Sequence, residues 1–300
     1  LAGATRSPFV LGGGSNLLLT RDIDQLVLLN EIGGIEVVRE SSNFVDVRIG
    51  GGVVWHDFVQ WAVDRQLGGV ENLALIPGKV GAAPIQNIGA YGVELTSVFR
   101  GLEAMQLETR ERAIFDHAQC RFGYRDSIFK RELKGKYCIT TVTLRLSRAP
   151  HMIEDSYGAI RQTLQDQGIG QPGIAQIFEA VVAIRSSKLP DPAVLGNSGS
   201  FFKNPVVPEA QWRSIKHEWP DLVYYPDREG FYKIPAGWLI DQCGWKGKRI
   251  GNVGCYEKQA LVIVNYGSAS GQEVLDHAMR VRASVKERFG IELTPEVNIL

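Results

Sequence analysis

The sequence lacks the features that membrane proteins and nucleic-acid-binding proteins usually display. Its longest apolar runs, such as Leu26 to Leu29 and Ala260 to Val264, are far shorter than the roughly 20 residues of a membrane helix. Its 33 basic residues balance its 33 acidic ones, and no run of like charge occurs. Electrostatics therefore favours neither nucleic acid nor a membrane surface as a partner, and no signal peptide is visible.

Cysteine is also scarce, with only four in 300 residues. They are Cys120, Cys138, Cys243 and Cys255. None lies in a C-x-x-C pair or at a zinc-finger spacing from histidine, so we expect reduced, mostly buried thiols and no metal site. This pattern favours a cytoplasmic protein. Glycine, in contrast, is abundant at 33 residues, which favours loops that approach a small ligand closely.

The length and the alternation of elements predict an α+β protein with two or three domains. In residues 44–52, apolar residues alternate with Asp46 and Arg48, as in a strand with one solvent-facing side. A helix is predicted from Trp55. The run from Tyr137 to Leu146 predicts a long half-buried strand with every second residue on one face. That face carries Cys138, Thr140, Val142, Leu144 and Leu146.

The composition changes after "SSKLPDP", residues 186–192, which we interpret as a linker. Beyond it, Pro208 and Pro235 are placed to open helices. Ser270 and Glu273 form a capping-box pattern before a further helix. These signals predict a second α+β domain.

Residues 68–95 hold too many glycines for regular structure and too many apolar residues for solvent. We expect an ordered loop that packs against something other than protein. The "GGGSN" turn, Gly12 to Asn16, follows a strand but precedes another strand, so it is not a dinucleotide fingerprint. It could be a plain tight turn, or its backbone N–H groups could form an anion-binding nest.

Arg125 lies among aromatic residues in "CRFGYRDSIFK", where it could clamp a carboxylate with two parallel hydrogen bonds. The alternative is a structural Arg125–Asp126 pair. Glu296, in a predicted terminal strand, could be a general acid with a raised pKa, or an edge glutamate facing water. "GNSGSFFKNP", residues 196–205, combines a flexible polar turn around Ser200 with two adjacent phenylalanines.

Taken together, these segments closely resemble the UDP-N-acetylenolpyruvoylglucosamine reductase family, flavoenzymes of bacterial cell-wall precursor synthesis. The resemblance covers nearly the whole chain and includes the longer form with a tyrosine loop. Its most specific segments are "ENLALIPGKVGAAPIQNIGAYGVEL", "CRFGYRDSIFK", "GNSGSFFKNPVV", "AGWLIDQCG" and "PEV".

The resemblance implies a two-part FAD-binding region of the vanillyl-alcohol-oxidase type, followed by a smaller α+β substrate-binding domain. The expected ranges are 1–35 and 36–187 for the two FAD-binding subdomains, 188–290 for the substrate-binding domain and 291–300 for a terminal strand returning to the active site. Family members usually have about one more strand and helix before the position of Leu1, so the first subdomain is expected to be incomplete.

The same resemblance assigns the cofactor and its residues. FAD would be the cofactor and NADPH the reductant, with "GGGSN" holding the diphosphate. The expected cofactor-binding residues are Gly12, Gly13, Gly14, Ser15, Asn16, Ala82, Ile85, Ile88, Gly89 and Arg185. Asn298 stands where many family members have arginine, a departure from the family pattern at one polar contact near the cofactor.

The resemblance also implies the chemistry. Reduced flavin would give a hydride to C3 of the enolpyruvyl group of UDP-N-acetylglucosamine enolpyruvate, and Ser200 would protonate C2. Arg125 would bind the carboxylate, and Glu296 would stabilise the intermediate or feed the proton relay. The expected substrate-binding residues are Tyr91, Tyr124, Tyr157, Lys188, Asn204, Tyr225 and Gln259. Tyr157 corresponds to the tyrosine of a mobile loop that closes over substrate.

Two other functions remain open at this stage. A related FAD oxidase would share the fold and the diphosphate turn, but would not need Ser200, Glu296 and an arginine clamp together. A nucleotide-sugar-binding protein without flavin would keep the fold alone. We expect a monomeric bacterial enzyme in the cytoplasm.

Overall fold

The computed structural model describes residues 7–300. The strands are β1 (Phe9–Leu11), β2 (Leu17–Leu18), β3 (Val27–Leu29), β4 (Ile35–Glu40), β5 (Phe44–Gly50), β6 (Gly89–Ala90), β7 (Val93–Glu94), β8 (Phe99–Gln106), β9 (Arg112–Asp116), β10 (Tyr137–Ser147), β11 (Gly196–Ser200), β12 (Val206–Pro208), β13 (Tyr225–Pro226), β14 (Phe231–Lys233), β15 (Arg249–Ile250), β16 (Val253–Cys255), β17 (Val262–Asn265) and β18 (Asn298–Ile299). The α-helices are α1 (Trp55–Asp64), α2 (His117–Cys120), α3 (Gly158–Asp166), α4 (Ile174–Lys188), α5 (Glu209–Glu218), α6 (Ala236–Gln242) and α7 (Gly271–Phe289).

The chain forms two compact units, each with its own sheets, helices and core. The first comprises residues 7–14 of the described chain and Asp24–Ser187, and the second comprises Ser15–Ile23 and Lys188–Leu300. Each unit mixes helices with mainly antiparallel sheets, as the α+β prediction requires. The four domain ranges expected from the sequence stay predictions.

The first unit is organised around a five-stranded antiparallel sheet in the order β4-β5-β10-β8-β9. The helix predicted from Trp55 is confirmed as α1. Its apolar residues recur at helical spacing and are all buried: Trp55, Phe58, Val59, Ala62 and Val63. Trp55 also donates its indole N–H to the carbonyl of Leu73 at 2.9 Å. This bond joins α1 to the glycine-rich segment that follows it.

That segment is ordered, as expected, but it contains more regular structure than its composition suggested. Three 3₁₀ helices span Glu71–Leu73, Val80–Gln86 and Leu95–Ser97, and β6 pairs with β7 in a short hairpin. The prediction that regular structure is absent was therefore wrong. Short 3₁₀ turns tolerate glycine because each of them needs only a few backbone hydrogen bonds.

The prediction that Asp46 lies on a solvent-facing side of β5 was also wrong. Asp46 is only 7% exposed, and both of its carboxylate oxygens accept hydrogen bonds from Arg145 on β10, at 2.6 and 2.7 Å. The Arg145 guanidinium lies 3.7 Å from the centroid of the Phe44 ring. The hydrogen bond from Arg145 holds the pKa of Asp46 below its ordinary value. A charged side chain is buried here because its partner is on the neighbouring strand.

The long strand predicted at Tyr137 is confirmed as β10, but its buried residues do not keep one regular alternation along the whole strand. A register shift against β8 lies between Ile139 and Thr141. Ile139 is therefore buried, whereas Cys138 and Thr140, both predicted on the inward face, are only half-buried. From Val142 onward the predicted alternation holds. A bulge of this kind adds one residue to the strand and leaves little trace in composition.

The predicted linker at residues 186–192 is partly helix. Helix α4 continues through Lys188, so only the residues after it leave regular structure before β11 begins at Gly196. The serines of this stretch lie on exposed positions of the last helical turn, where their weak helix preference is tolerated.

The second unit packs its helices around a four-stranded sheet, β11-β17-β16-β15, and a three-stranded sheet, β12-β14-β13. Pro208 and Pro235 immediately precede α5 and α6, as predicted. The capping box of Ser270 and Glu273 is confirmed at the start of α7. Phe201 and Phe202 are 2% and 1% exposed, so they anchor the polar turn in the core of this unit.

The predicted terminal strand is much shorter than residues 291–300. Only Asn298 and Ile299 form strand β18, which pairs in parallel with β2. All four cysteines are free thiols; Cys120 and Cys255 are buried and the other two are half-buried. Within residues 7–300, no helix is long and apolar enough to cross a membrane, and no cluster of three or more metal-ligating side chains occurs.

We expect Asp46→Ala to lower the free energy of unfolding by about 2–3 kcal/mol at neutral pH, because it removes two charge-assisted hydrogen bonds from a side chain that is only 7% exposed. Glu40→Ala is the matched control. It breaks an exposed pair with Arg148 and should cost about 0.5 kcal/mol or less. Urea denaturation measures both variants, and equal effects would contradict the structural role of Asp46.

The same pair predicts a pH dependence. Because the pKa of Asp46 is lowered from 3.8, its contribution is complete above about pH 4 and is lost as the pH falls through the lowered value. The gap between the wild-type chain and Asp46→Ala should therefore narrow in acid. A constant gap down to about pH 2 would contradict this assignment.

Candidate active site

The "GGGSN" turn connects β1 to β2 and keeps its first three residues free of side chains. A Cβ atom at Gly13 would lie 3.1 Å from the Cα atom of Gly78, so a side chain there would press on a neighbouring backbone. Gly14 has a φ of +68°, which glycine adopts without strain. Gly13 and Gly14 are exposed. Their backbones are therefore open to a ligand, as an anion-binding nest requires.

The end of this turn belongs to the second unit and contacts the last residues of the chain. The carbonyl of Asn16 accepts hydrogen bonds from the backbone N–H of Asn298 at 3.2 Å and from its Nδ2 at 3.0 Å. Asn16 Nδ2 in turn approaches the Glu296 carbonyl at 3.5 Å. Asn298 thus has a defined partner in this turn.

In the first unit, Asn87 organises the loops that carry Gly89 and Arg125. Asn87 is 1% exposed and has a φ of +43°. Its Nδ2 donates to Glu94 at 2.9 Å and to the carbonyl of Gly123 at 3.0 Å, while its Oδ1 accepts from the N–H of Thr96 at 3.0 Å. A buried amide with three such bonds fixes the separation between the two loops.

Arg125 lies on the second of these loops with a φ of +53°. It donates to the carbonyl of Gly89, and its guanidinium lies 5.3 Å from the centroid of the Tyr124 ring. A Cβ atom at Gly89 would lie 2.7 Å from the Arg125 guanidinium, so this approach requires glycine. Asp126 makes an ion pair with Arg131 at 3.2 Å. That pair gives Asp126 a structural partner other than Arg125.

The other expected cofactor residues of this segment lie in one short stretch. Ala82 and Ile85 belong to the 3₁₀ helix Val80–Gln86, and Ile88 directly precedes β6. Ile85 is held by Ser127, whose hydroxyl donates to its carbonyl at 2.7 Å. Ala82 and Ile85 are half-buried, so part of each side chain is accessible, whereas Ile88 is 6% exposed and belongs to the core.

Arg185 extends from α4 towards the same part of the first unit. Its Nε donates to the carbonyl of Leu75 at 3.2 Å, and its side chain bonds to that of Tyr91. Burial lowers the pKa of Arg185, Tyr91 opposes this effect, and the charge of Arg125 lowers the pKa further. Two guanidinium groups close enough to affect each other in this way favour an anionic ligand.

Tyr157 precedes α3 and is 40% exposed. Its ring meets that of Tyr91 edge to face, with a centroid distance of 5.1 Å. Asn72, which is 2% exposed, joins the two segments because its Nδ2 donates to the carbonyl of Tyr91 at 3.1 Å and to that of Glu154 at 2.8 Å. The tyrosine expected to cover substrate is therefore docked on a second expected substrate residue.

In the second unit, a backbone hydrogen bond holds Glu296 beside the residue that follows Ser200. The N–H of Glu296 donates to the carbonyl of Phe201 at 2.8 Å, and Phe202 forms a bridge with Pro295. Ser200, the residue before Phe201, is exposed at the end of β11, and Glu296 is half-buried. The prediction that Glu296 lies within a strand was wrong, since β18 begins two residues later.

Asn204 and Gln259 both lie at the start of α6. Asn204 Oδ1 accepts from the N–H of Ala236 at 2.9 Å, so this side chain satisfies one of the unpaired N–H groups of the helix. Gln259 Oε1 would lie 3.0 Å from a Cβ atom at Gly237. Lys188 and Tyr225 are exposed, at the end of α4 and on β13. Within residues 7–300, no hydrogen bond joins either of them to Ser200.

Sequence reasoning missed Asn72 and Asn87, which hold the expected site residues in place. Both are asparagines inside a glycine-rich stretch of otherwise apolar residues. Polar side chains in such a stretch are buried only when they are hydrogen-bonded. That signal was available in the sequence, but their partners on distant segments were not.

Comparison with known proteins assigns the chain to a family. Residues 191–300 match the C-terminal domain of UDP-N-acetylenolpyruvoylglucosamine reductase, and residues 2–109 match an FAD binding domain. A reductase of that name from Pseudomonas fluorescens is 52% identical over 290 residues, which are 97% of this chain and 85% of the relative. The reductase from Flavobacterium johnsoniae is 49% identical over 292 residues, 97% of this chain and 87% of the relative.

The chain belongs to the UDP-N-acetylenolpyruvoylglucosamine reductase family. It is therefore an FAD-containing oxidoreductase, and the fold predicted from the sequence, an FAD-binding region followed by a smaller α+β domain, is confirmed. The crystal structure of the family enzyme from Thermus caldophilus shares this fold, with a TM-score of 0.67 at 24% identity over 98% of this chain and 86% of that one. Membership disfavours both alternatives, the FAD oxidase and the flavin-free binding protein.

The docking of Tyr157 can be tested at Asn72. We expect Asn72→Ala to lower the free energy of unfolding by about 2 kcal/mol, because two carbonyl groups lose their donor. It should also accelerate chymotrypsin cleavage after Tyr157. Asn43→Ala, at an exposed position of the same unit, is the control. Limited proteolysis with mass spectrometry measures the effect, and equal cleavage rates in both variants would show that Asn72 does not hold this segment.

Proposed function

We propose that this chain reduces the enolpyruvyl group of UDP-N-acetylglucosamine enolpyruvate to give UDP-N-acetylmuramate, with NADPH as the reductant. The observation that supports this function most is the pair of arginines in the first unit. Arg125 donates to the Gly89 carbonyl, Arg185 donates to the Leu75 carbonyl, and the charge of Arg125 lowers the pKa of Arg185, so the two positive charges favour an anionic ligand. The substrate carries a carboxylate on the group that is reduced.

FAD fits the residues present. Three successive glycines leave the backbone of the "GGGSN" turn open, and a side chain at Gly13 would press on the backbone of Gly78. Gly12 to Asn16 would hold the diphosphate, and Ala82, Ile85, Ile88, Gly89 and Arg185 would line the flavin. When bound, FAD supplies hydride transfer, accepting a hydride from NADPH and delivering one to C3 of the enolpyruvyl group.

Arg125 would bind the substrate carboxylate and stabilise the negative charge that develops on it as C3 receives the hydride. Its position supports this role, because a guanidinium already fixed by a backbone carbonyl loses little freedom on binding. Tyr124, whose ring lies beside the guanidinium, would contact the same part of the substrate. Tyr91 and Tyr157 would cover the substrate and exclude water.

Ser200 would donate the proton that C2 needs once C3 has received the hydride, which leaves the saturated ether as product. Its exposed hydroxyl, on a turn anchored by two buried phenylalanines, combines access with a fixed position. Glu296, bonded through its backbone to the residue next to Ser200, would stabilise the intermediate or return a proton to the serine. Lys188, Asn204, Tyr225 and Gln259 would contact the remainder of the substrate.

Ser200→Ala tests this mechanism because the serine has a role in only one half of the cycle. NADPH should still bleach the bound flavin at nearly the wild-type rate. Reoxidation by the enolpyruvyl substrate should slow by about 10²–10⁴-fold, as expected for a lost general acid. Ser200→Cys should recover part of this rate, since a thiol can also donate a proton. Stopped-flow absorbance measures each half-reaction separately.

Ser214→Ala, at an exposed position on α5, is the control and should leave both half-reactions unchanged. If both half-reactions slow together in Ser200→Ala, the serine supports structure instead of protonation. If neither slows, the proton comes from another group and Glu296 becomes the leading candidate.

A further inference from the structure

The side chain of His56 has a defined role as a hydrogen-bond acceptor. Its Nδ1 lies 3.1 Å from the backbone nitrogen of Leu75, which can only donate. The imidazole must therefore be neutral, with its proton on Nε2. Its ring is stacked on that of Phe178 of α4, with a centroid distance of 5.6 Å and an interplanar angle of 1°. Stacking fixes the ring plane, and hence the direction in which Nδ1 accepts.

Leu75 needs such support, because its φ is +56°. A bulky side chain adopts this left-handed conformation only at a cost in free energy, and surrounding contacts must maintain it. Two contacts act on its two backbone groups. The N–H is bound by His56, and the carbonyl is bound by Arg185 Nε at 3.2 Å. The direction of that carbonyl therefore depends on the bond made by the N–H of the same residue.

From these contacts we infer that His56 is a positioning residue for Arg185. His56 acts through the backbone of Leu75, and it does so only while its imidazole is neutral. A protonated imidazole would present an N–H to the N–H of Leu75, and two donors cannot bond to each other. Leu75 would then lose one of its two supports, and Arg185 would lose a fixed acceptor.

The charged groups around His56 favour the neutral form. Burial lowers its pKa, Asp57 on its own helix opposes this effect, and Arg185 on α4 lowers the pKa further. The Leu75 segment presents its backbone amide. The positioning should therefore persist through neutral pH and fail only when the pH falls below the ordinary histidine value of 6.5. His56 thus makes the position of Arg185 depend on pH through the backbone of Leu75.

Two substitutions separate the parts of this inference. His56→Asn places an amide oxygen near the position of Nδ1, so it can accept from Leu75 but cannot titrate. His56→Phe keeps an aromatic ring on Phe178 but has no acceptor. The first readout is the Nε–H signal of Arg185 in ¹⁵N NMR of the FAD-bound chain, identified by its loss in Arg185→Lys. The second readout is the dissociation constant for FAD, measured by flavin fluorescence across the pH range.

At about pH 8, wild type and His56→Asn should show a slowly exchanging Arg185 Nε–H, and His56→Phe should not. Below the ordinary histidine range the wild-type Nε–H chemical shift should move to the value seen in His56→Phe, while that of His56→Asn stays unchanged. FAD binding should weaken about fivefold to tenfold in His56→Phe, and wild type should approach this value in acid. The NMR signal is local, so titration of His277 in the second unit, whose pKa is lowered to about 4, does not affect it.

An unchanged Arg185 signal in His56→Phe would overturn the inference. Coinciding pH profiles for wild type and His56→Asn would overturn the requirement for a neutral imidazole, and this comparison remains available if His56→Phe does not fold. The FAD readout rests on the proposed role of Arg185 at the cofactor. If the NMR signals change as expected but FAD affinity does not, the positioning by His56 stands and the cofactor role of Arg185 fails.

Discussion

Hydrogen bonds from a single buried amide set the geometry on which the first unit's site depends. Asn87 reaches Gly123 on one side and Thr96 and Glu94 on the other, so the loop bearing Arg125 and the segment bearing Gly89 are held at one separation. At that separation the Arg125 guanidinium meets the Gly89 backbone, where a single methyl group would not fit. The arginine is thus oriented before any ligand arrives, which lowers the entropic cost of binding.

In the second unit, a candidate site residue is held in place by burial of its neighbours instead of by polar contacts. Phe201 and Phe202 lie in its core, with ring centroids 5.1 Å apart, while the residue before them stays at the surface. The carbonyl of Phe201 then receives the N–H of Glu296. A large apolar contact area therefore supports a small exposed hydroxyl, and the precision of the site comes from residues that take no part in its chemistry.

Local patterns in the sequence predicted the elements whose signals are themselves local. The periodicity of α1, the capping box of α7 and the prolines before α5 and α6 each depend on residues a few positions apart. Asp46 was misplaced because its burial depends on Arg145, which is distant in sequence and adjacent across the sheet. The bulge in β10 was missed for the same reason, since a register shift is a property of two strands. The resemblance to a known family supplied the candidate site residues. It did not identify Asn72 and Asn87, which hold those residues in place.

The pairing of β2 with β18 has a consequence for the order in which the second unit can fold during synthesis. Leu17 and Leu18 precede most of the first unit in the chain, whereas their strand partners, Asn298 and Ile299, follow it. Leu18 also belongs to the core of the second unit. Closing a loop of this length costs entropy, and the closure cannot begin until both strands have been synthesised. We therefore expect the core of the nascent second unit to lack Leu18 until β18 has left the ribosome, and we expect chaperones to matter most in that interval.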